Sequence, residues 1–136
     1  MDAEEVAQLL GSLALFADLS GPELQGVVHT FEEESFPEGQ RILRQGFGGT
    51  NFYVILEGEA EVIIDGASRR RMGKGDFFGE IAILLDEPSS ADVVALTPLH
   101  CLVLPGSELT DWLKTKPTVA VRMLQTEARR LRSAQR

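Results

Sequence analysis

Glu80 is the residue from which a chemistry can be read. It follows Gly79 in the run Phe77-Phe78-Gly79-Glu80-Ile81-Ala82-Ile83-Leu84-Leu85. Gly73, Gly75 and Gly79 form a turn that leads into a short apolar helix. Pro88 is expected to stop that helix, and Ala91 to Leu96 to continue as a strand. Glycine ahead of a helix lets the backbone approach a ligand closely, and the first helical amides have no intrahelical partner. Such a start suits an anion, phosphate above all. A carboxylate on its first turn can accept hydrogen bonds from a sugar hydroxyl. It can equally do no more than complement the helix dipole, which is worth roughly 0.3–1 kcal/mol.

The elements that must position this stretch change along the chain. Val6, Leu9, Leu10 and Leu13 recur at helical spacing between Asp2 and Leu13. Ser20-Gly21-Pro22-Glu23 reads as a capping box opening a second helix to about His29, with Leu24, Val27 and Val28 inward. From 31 to 104 the texture is of short β-branched or aromatic runs broken by glycine and proline. Strands are expected at Phe31 to Phe36, Arg41 to Arg44, Asn51 to Leu56, Glu59 to Ile64, Ser68 to Met72, Ala91 to Leu96 and Leu99 to Leu104. Many short strands with regular turns indicate an antiparallel sandwich or barrel. Ser107 then caps a helix bearing Leu109, Trp112 and Leu113, and Pro117 suits the first position of a last helix towards Arg136.

Composition narrows the class. At 136 residues the chain is expected to be a single domain, 1–136. Its net charge of −8 argues against nucleic acid, where phosphate neutralisation dominates affinity. No apolar run nears the roughly 20 residues that span a bilayer. The acidic start Met1-Asp2-Ala3-Glu4-Glu5 is unlike a signal peptide, and the single cysteine, Cys101, fits a reducing compartment. The expected location is therefore cytoplasmic. His29 and His100 are too few and too far apart for a metal site, no catalytic constellation or nucleotide-binding P-loop occurs, and no enzyme is expected.

The run Phe78-Gly79-Glu80-Ile81-Ala82, with Leu84, Pro88, Ala91, Val93 and Ala95, resembles the phosphate-binding cassette of the cyclic-nucleotide-binding domain family. Ile42-Leu43-Arg44-Gln45-Gly46 and Phe52-Tyr53-Val54-Ile55-Leu56-Glu57-Gly58-Glu59-Ala60-Glu61-Val62 are similar to that family's β-section. The resemblance implies a mainly β fold, an eight-stranded antiparallel β-roll of jelly-roll type. N-terminal helices (1–30), the roll (31–104, cassette 78–95) and C-terminal hinge and lid helices (107–136) would follow in order. It also implies a non-enzymatic ligand-sensing regulatory domain, with Phe78, Gly79, Glu80, Ile81, Ala82, Ser89, Ser90 and Ala91 as ligand-binding residues. Glu80 would take the ribose hydroxyl of a nucleoside 3′,5′-cyclic monophosphate, and the backbone of Gly79, Ile81 and Ala82 its phosphate.

One position departs from the family pattern: the arginine that pairs with the cyclic phosphate is Ser89 here. A buried phosphodiester without a cation is costly, so cAMP or cGMP is expected to bind weakly, and no other cofactor is implied. Arg41, Arg44, Lys74 or the Arg69-Arg70-Arg71 run can supply charge if they fold over the pocket, although a charge run is more often a solvated face. Asp92 is expected to point outward. A neutral nucleoside, bound through Ser89 and Glu80, is a further possibility, and so is a ligand-free interaction or dimerisation module on the same fold. Val121, Leu124, Ala128 and Leu131 form a short heptad stripe suited to a homodimer or a lid. Ala134 and Gln135 fall where a base contact is expected. Ligand at Glu80 to Ala82 would shift the population of positions open to the hinge helix Ser107 to Lys114, and so act on a larger regulated protein.

Overall fold

The computed structural model describes residues 1–134. They part into two compact units, Thr30–Leu109 and Met1–His29 with the chain from Thr110 onward.

The first unit holds β1 (Glu32–Phe36), β2 (Arg41–Leu43), β3 (Phe52–Glu57), β4 (Ala60–Ile64), β5 (Ala67–Met72), β6 (Phe77–Phe78), the short helix α3 (Glu80–Leu85), β7 (Asp92–Ala95) and β8 (Leu99–Leu104). The strands form two four-stranded sheets, ordered β1-β8-β3-β6 and β2-β7-β4-β5, with every pairing antiparallel. This is the β-roll that the sequence implies. Side chains alternate across the pleat. Val93 and Ala95 of β7 therefore meet Tyr53, Ile55, Val62, Met72, Phe78 and Cys101 inside, while Asp92 and Val94 face out. β1, at one sheet edge, carries Glu32, Glu33 and Glu34 in solvent, and charge on an edge discourages pairing with another chain.

Seven strands are legible in the sequence, each within a residue or two of its observed bounds. The eighth, β6, has only Phe77 and Phe78 and lies inside what reads as a glycine-rich turn. Pro88 is not what stops α3. The helix ends at Leu85, where Asp86 turns left-handed at φ 53°, and Glu87 donates its amide back to the Ala82 carbonyl at 2.9 Å.

In the second unit, α1 (Ala3–Gly11) is capped by Asp2, which accepts from the Glu5 amide at 2.9 Å. A 3-10 turn, Ala14–Phe16, follows it and has no sequence signal. α2 (Gly21–Thr30) opens on the expected capping box, with Ser20 N donating to Glu23 Oε1 at 2.9 Å and Glu23 N to Ser20 Oγ at 3.3 Å. α4 (Gly106–Thr115), whose first four residues belong to the first unit, starts one residue before the expected cap Ser107. α5 (Pro117–Ala134) starts at Pro117 as read. It buries Val119 and Met123, and so turns the stripe of Val121, Leu124, Ala128 and Leu131 to solvent. Arg122 of α5 grips Asp18 through two bonds of 2.8 and 3.1 Å. Ala134 closes α5, and Gln135 lies outside the described residues. No helix among the described residues is long and apolar enough to cross a membrane.

Candidate functional site

β6 sets the start of the cassette. Phe78 pairs with Tyr53 and Phe77 with Val54, and the Phe78 ring stacks on Tyr53 with centroids 4.7 Å apart and planes 8° from parallel. The chain then turns at Gly79, whose φ is 94°. A Cβ built there would lie 2.1 Å from the Asn51 carbonyl oxygen, so this position excludes every other residue on two counts.

The residue delivered by that turn is Glu80, only 3% exposed. A carboxylate so deeply placed has lost its water, and this distinguishes it from an ornamental acid at a helix start. Ala82 is also buried, while Ile81 is turned to solvent at 40% exposure and offers the site its backbone only. With six residues α3 has little macrodipole; what it presents is local, the peptide groups of one turn.

Ser89 is buried, and its hydrogen bonds are local. Its hydroxyl donates to the Ala91 carbonyl at 2.8 Å and accepts from the Ala91 amide at 3.4 Å. Its backbone is held as well: Ser89 N donates to Phe47 O at 2.9 Å, and Gly46 N to Ser89 O at 2.8 Å. Ser90 is exposed, whereas Ala91 belongs to the roll's interior. The structure thus brings Phe78, Glu80, Ala82, Ser89 and Ala91 out of solvent and leaves Ile81 and Ser90 at the surface. Asp92 faces outward as expected, accepting from Gln45 N at 2.7 Å with Arg41 Nε 3.7 Å away.

Of the basic side chains named above as able to answer a phosphate, Arg41, Arg44, Arg69, Arg71 and Lys74 are exposed, as a solvated charge run should be. Arg70 differs. It pairs with Val62 in the register, so it projects from the inner face beside Met72, and its Nε is shielded from solvent. β5 and β6 are the last strands of their respective sheets and are joined by the four residues 73–76. Arg70 therefore stands on the strand that leads, through one short connection, into the segment carrying Glu80. The turn holding Ser89 precedes β7, two strands away from β5 in the sheet order. Period-two alternation with Met72 is the signal that singles out Arg70 from its neighbours.

Burial pushes the Cys101 thiol up to about 12, with the Glu34 charge acting the same way. Burial raises the Tyr53 phenol as well, with the Asn51 side chain acting the other way. His100 on β8 is partly buried and sits between Ser35 Oγ, 2.8 Å from Nδ1, and Glu33 Oε1, 3.4 Å from Nε2.

Asn51 escapes notice in the sequence, where it reads as a turn residue ahead of β3. Its Oδ1 accepts from the Gly106 amide, the first of α4, at 3.3 Å. Gly106 is as constrained as Gly79, since a Cβ there would lie 2.2 Å from the Thr50 carbonyl oxygen and 3.3 Å from the Ile83 side chain.

Residues 33–116 match the cyclic nucleotide-binding domain. The chain is 36% identical over 107 residues to a cGMP-dependent protein kinase of Toxoplasma gondii, covering 79% of this chain and 11% of that protein. Among solved structures it resembles the catabolite activator protein of Thermus thermophilus at 28% identity and a TM-score of 0.79, covering 90% of this chain and 60% of that one. It also resembles the regulatory subunit of a cAMP-independent protein kinase A from Trypanosoma brucei at 26% identity and a TM-score of 0.81, covering 93% and 46%. The chain spans about a tenth of the kinase and about half of these structures.

Proposed function

The chain belongs to the cyclic nucleotide-binding domain family, and from that premise we propose that its β-roll is a non-catalytic sensor for a nucleoside 3′,5′-cyclic monophosphate, cAMP or cGMP. The observation that carries the reading is Glu80, kept at 3% exposure directly behind a left-handed Gly79. In this reading Glu80 accepts hydrogen bonds from the ribose hydroxyl, and the backbone of Gly79 to Ala82 meets the phosphate. Ser89, in the place of the cassette arginine, brings no charge, and its hydroxyl serves Ala91. Binding is therefore weak. The domain acts in the cytoplasm on a larger regulated protein, as regulatory regions of kinases do, through the position of α4.

A second reading has specific support. The local closure of Ser89 on Ala91 gives the cassette its turn without a ligand, and one similar structure is the regulatory subunit of a cAMP-independent kinase. This chain is then a ligand-free interaction or dimerisation module on the same fold. A neutral nucleoside is less well supported, because the Ser89 hydroxyl that would greet it is engaged.

Calorimetric titration with cAMP and cGMP separates the readings. The sensor gives measurable binding that Glu80→Ala weakens about ten- to a hundredfold, the worth of a charge-assisted hydrogen bond. Absence of heat with both nucleotides from the folded wild-type chain would overturn the first reading in favour of the second.

A further inference from the structure

We infer that Asn51 is the joint through which the state of the cassette reaches α4; this deepens the reading above and rests on it for the ligand. The peptide of Thr50 and Asn51 is wedged between two glycines from different elements. Gly79, at the head of the cassette, packs against the Asn51 carbonyl, and Gly106, the first residue of α4, against the Thr50 carbonyl. Neither approach tolerates a methyl group, so the contacts are close and stiff. Ile83 of α3 lies over Gly106 as well, which puts α3 and the start of α4 around the same pair of residues.

The Asn51 side chain adds a directional link to this contact. Its Oδ1 accepts from the Gly106 amide at 3.3 Å. The main-chain carbonyl of the same residue is the wall against which Gly79 packs, and Gly79 immediately precedes Glu80. A continuous path of contacts thus runs from Glu80 and Gly79 through Asn51 to the first turn of α4. Capping needs only the side-chain acceptor; the main-chain contact with Gly79 is what makes Asn51 more than a cap.

The test uses hydrogen–deuterium exchange at residues 106–109, with and without saturating cGMP or cAMP, in wild type, Asn51→Ala and Asn51→Asp. Asn51→Asp keeps an acceptor for the Gly106 amide. Asn51→Ala is expected to bind nucleotide within about threefold of wild type while losing most of the ligand-induced change in exchange, and Asn51→Asp to keep that change. Asn51→Ala in addition speeds basal exchange at the start of α4 by about five- to tenfold, as loss of a cap does. If Asn51→Ala relays the ligand signal in full, or Asn51→Asp loses it, the joint lies elsewhere and the inference is overturned. Should the wild-type chain bind neither nucleotide, the sensor reading falls by itself. The joint is then judged without ligand, from Glu80→Gln made in both backgrounds. That substitution must alter exchange at 106–109 when Asn51 is present and leave it unaltered in Asn51→Ala; an equal effect in both disproves the joint.

Discussion

Replacing Ser89 by arginine separates two quantities that the structure keeps apart. The hydroxyl bonds to Ala91 are made within the chain itself, so with the ligand leaving them in place their loss is felt in stability and cancels from affinity. Removing them costs about 1 kcal/mol, which for a chain of this size is a fall in Tm of about 3–6 °C. The new guanidinium acts only on the complex. A charge-assisted pair with a phosphodiester contributes about 1.5–3 kcal/mol, against which ordering the long side chain costs about 1 kcal/mol. The net gain of about 0.5–2 kcal/mol is a two- to thirtyfold tighter Kd, on the order expected for restored charge. Calorimetry with cAMP and cGMP reads the Kd and a thermal melt reads the stability, with Ser89→Ala as the control that lowers Tm and leaves Kd alone. The gain in Ser89→Arg must also shrink as salt is raised, because it is electrostatic. A folded Ser89→Arg chain that binds both nucleotides no tighter than wild type would show that charge is not what limits this site.

Other substitutions and titrations probe the frame. Gly79→Ala sets a methyl group 2.1 Å from the Asn51 carbonyl oxygen at a φ of 94° and is expected to destabilise the chain by about 2–4 kcal/mol, measured as a lowered urea midpoint; a near-neutral effect would mean the turn is free to shift. The Arg122 hydrogen bonds hold the Asp18 carboxyl below the usual aspartate range. Its contribution is therefore present above that range and lost as pH falls through the lowered value, so Arg122→Gln should narrow the difference in Tm between neutral and strongly acidic buffer. Burial pushes the Cys101 thiol up to about 12, so the native chain should stay unreactive towards a thiol reagent at pH 8 and react fully once denatured; prompt native labelling contradicts the burial.

Much of this molecule is legible in its residues because the signals are local. The capping box at Ser20 and Glu23, Pro117 at the head of α5 and the alternation of Val93 and Ala95 each act within a few residues of themselves. What escapes depends on partners distant in sequence. β6 is a strand only because β3 is there to pair with it. Asn51 matters through Gly106, fifty-five residues on, and Gly79 is obligatory through Asn51. The sequence points to Pro88, the stronger breaker, as the end of α3, although Asp86 accomplishes it by adopting a conformation open to aspartate. Ser89 could be read as lacking a charge, but its engagement with Ala91 is a property of the folded turn.

The two-residue length of β6 carries a consequence for how this roll responds to load. The neighbouring strand β8 is zipped to β3 over five register pairs, whereas β6 is fastened to it by two. Two rungs make the backbone ladder weakest at that margin, but Phe77 and Phe78 are both buried, and lifting them would carry two rings into water at a cost of about 1.5–3 kcal/mol each. The segment that carries Glu80 is thus held by its rings, as a cuff with almost no stitching is held by its buttons.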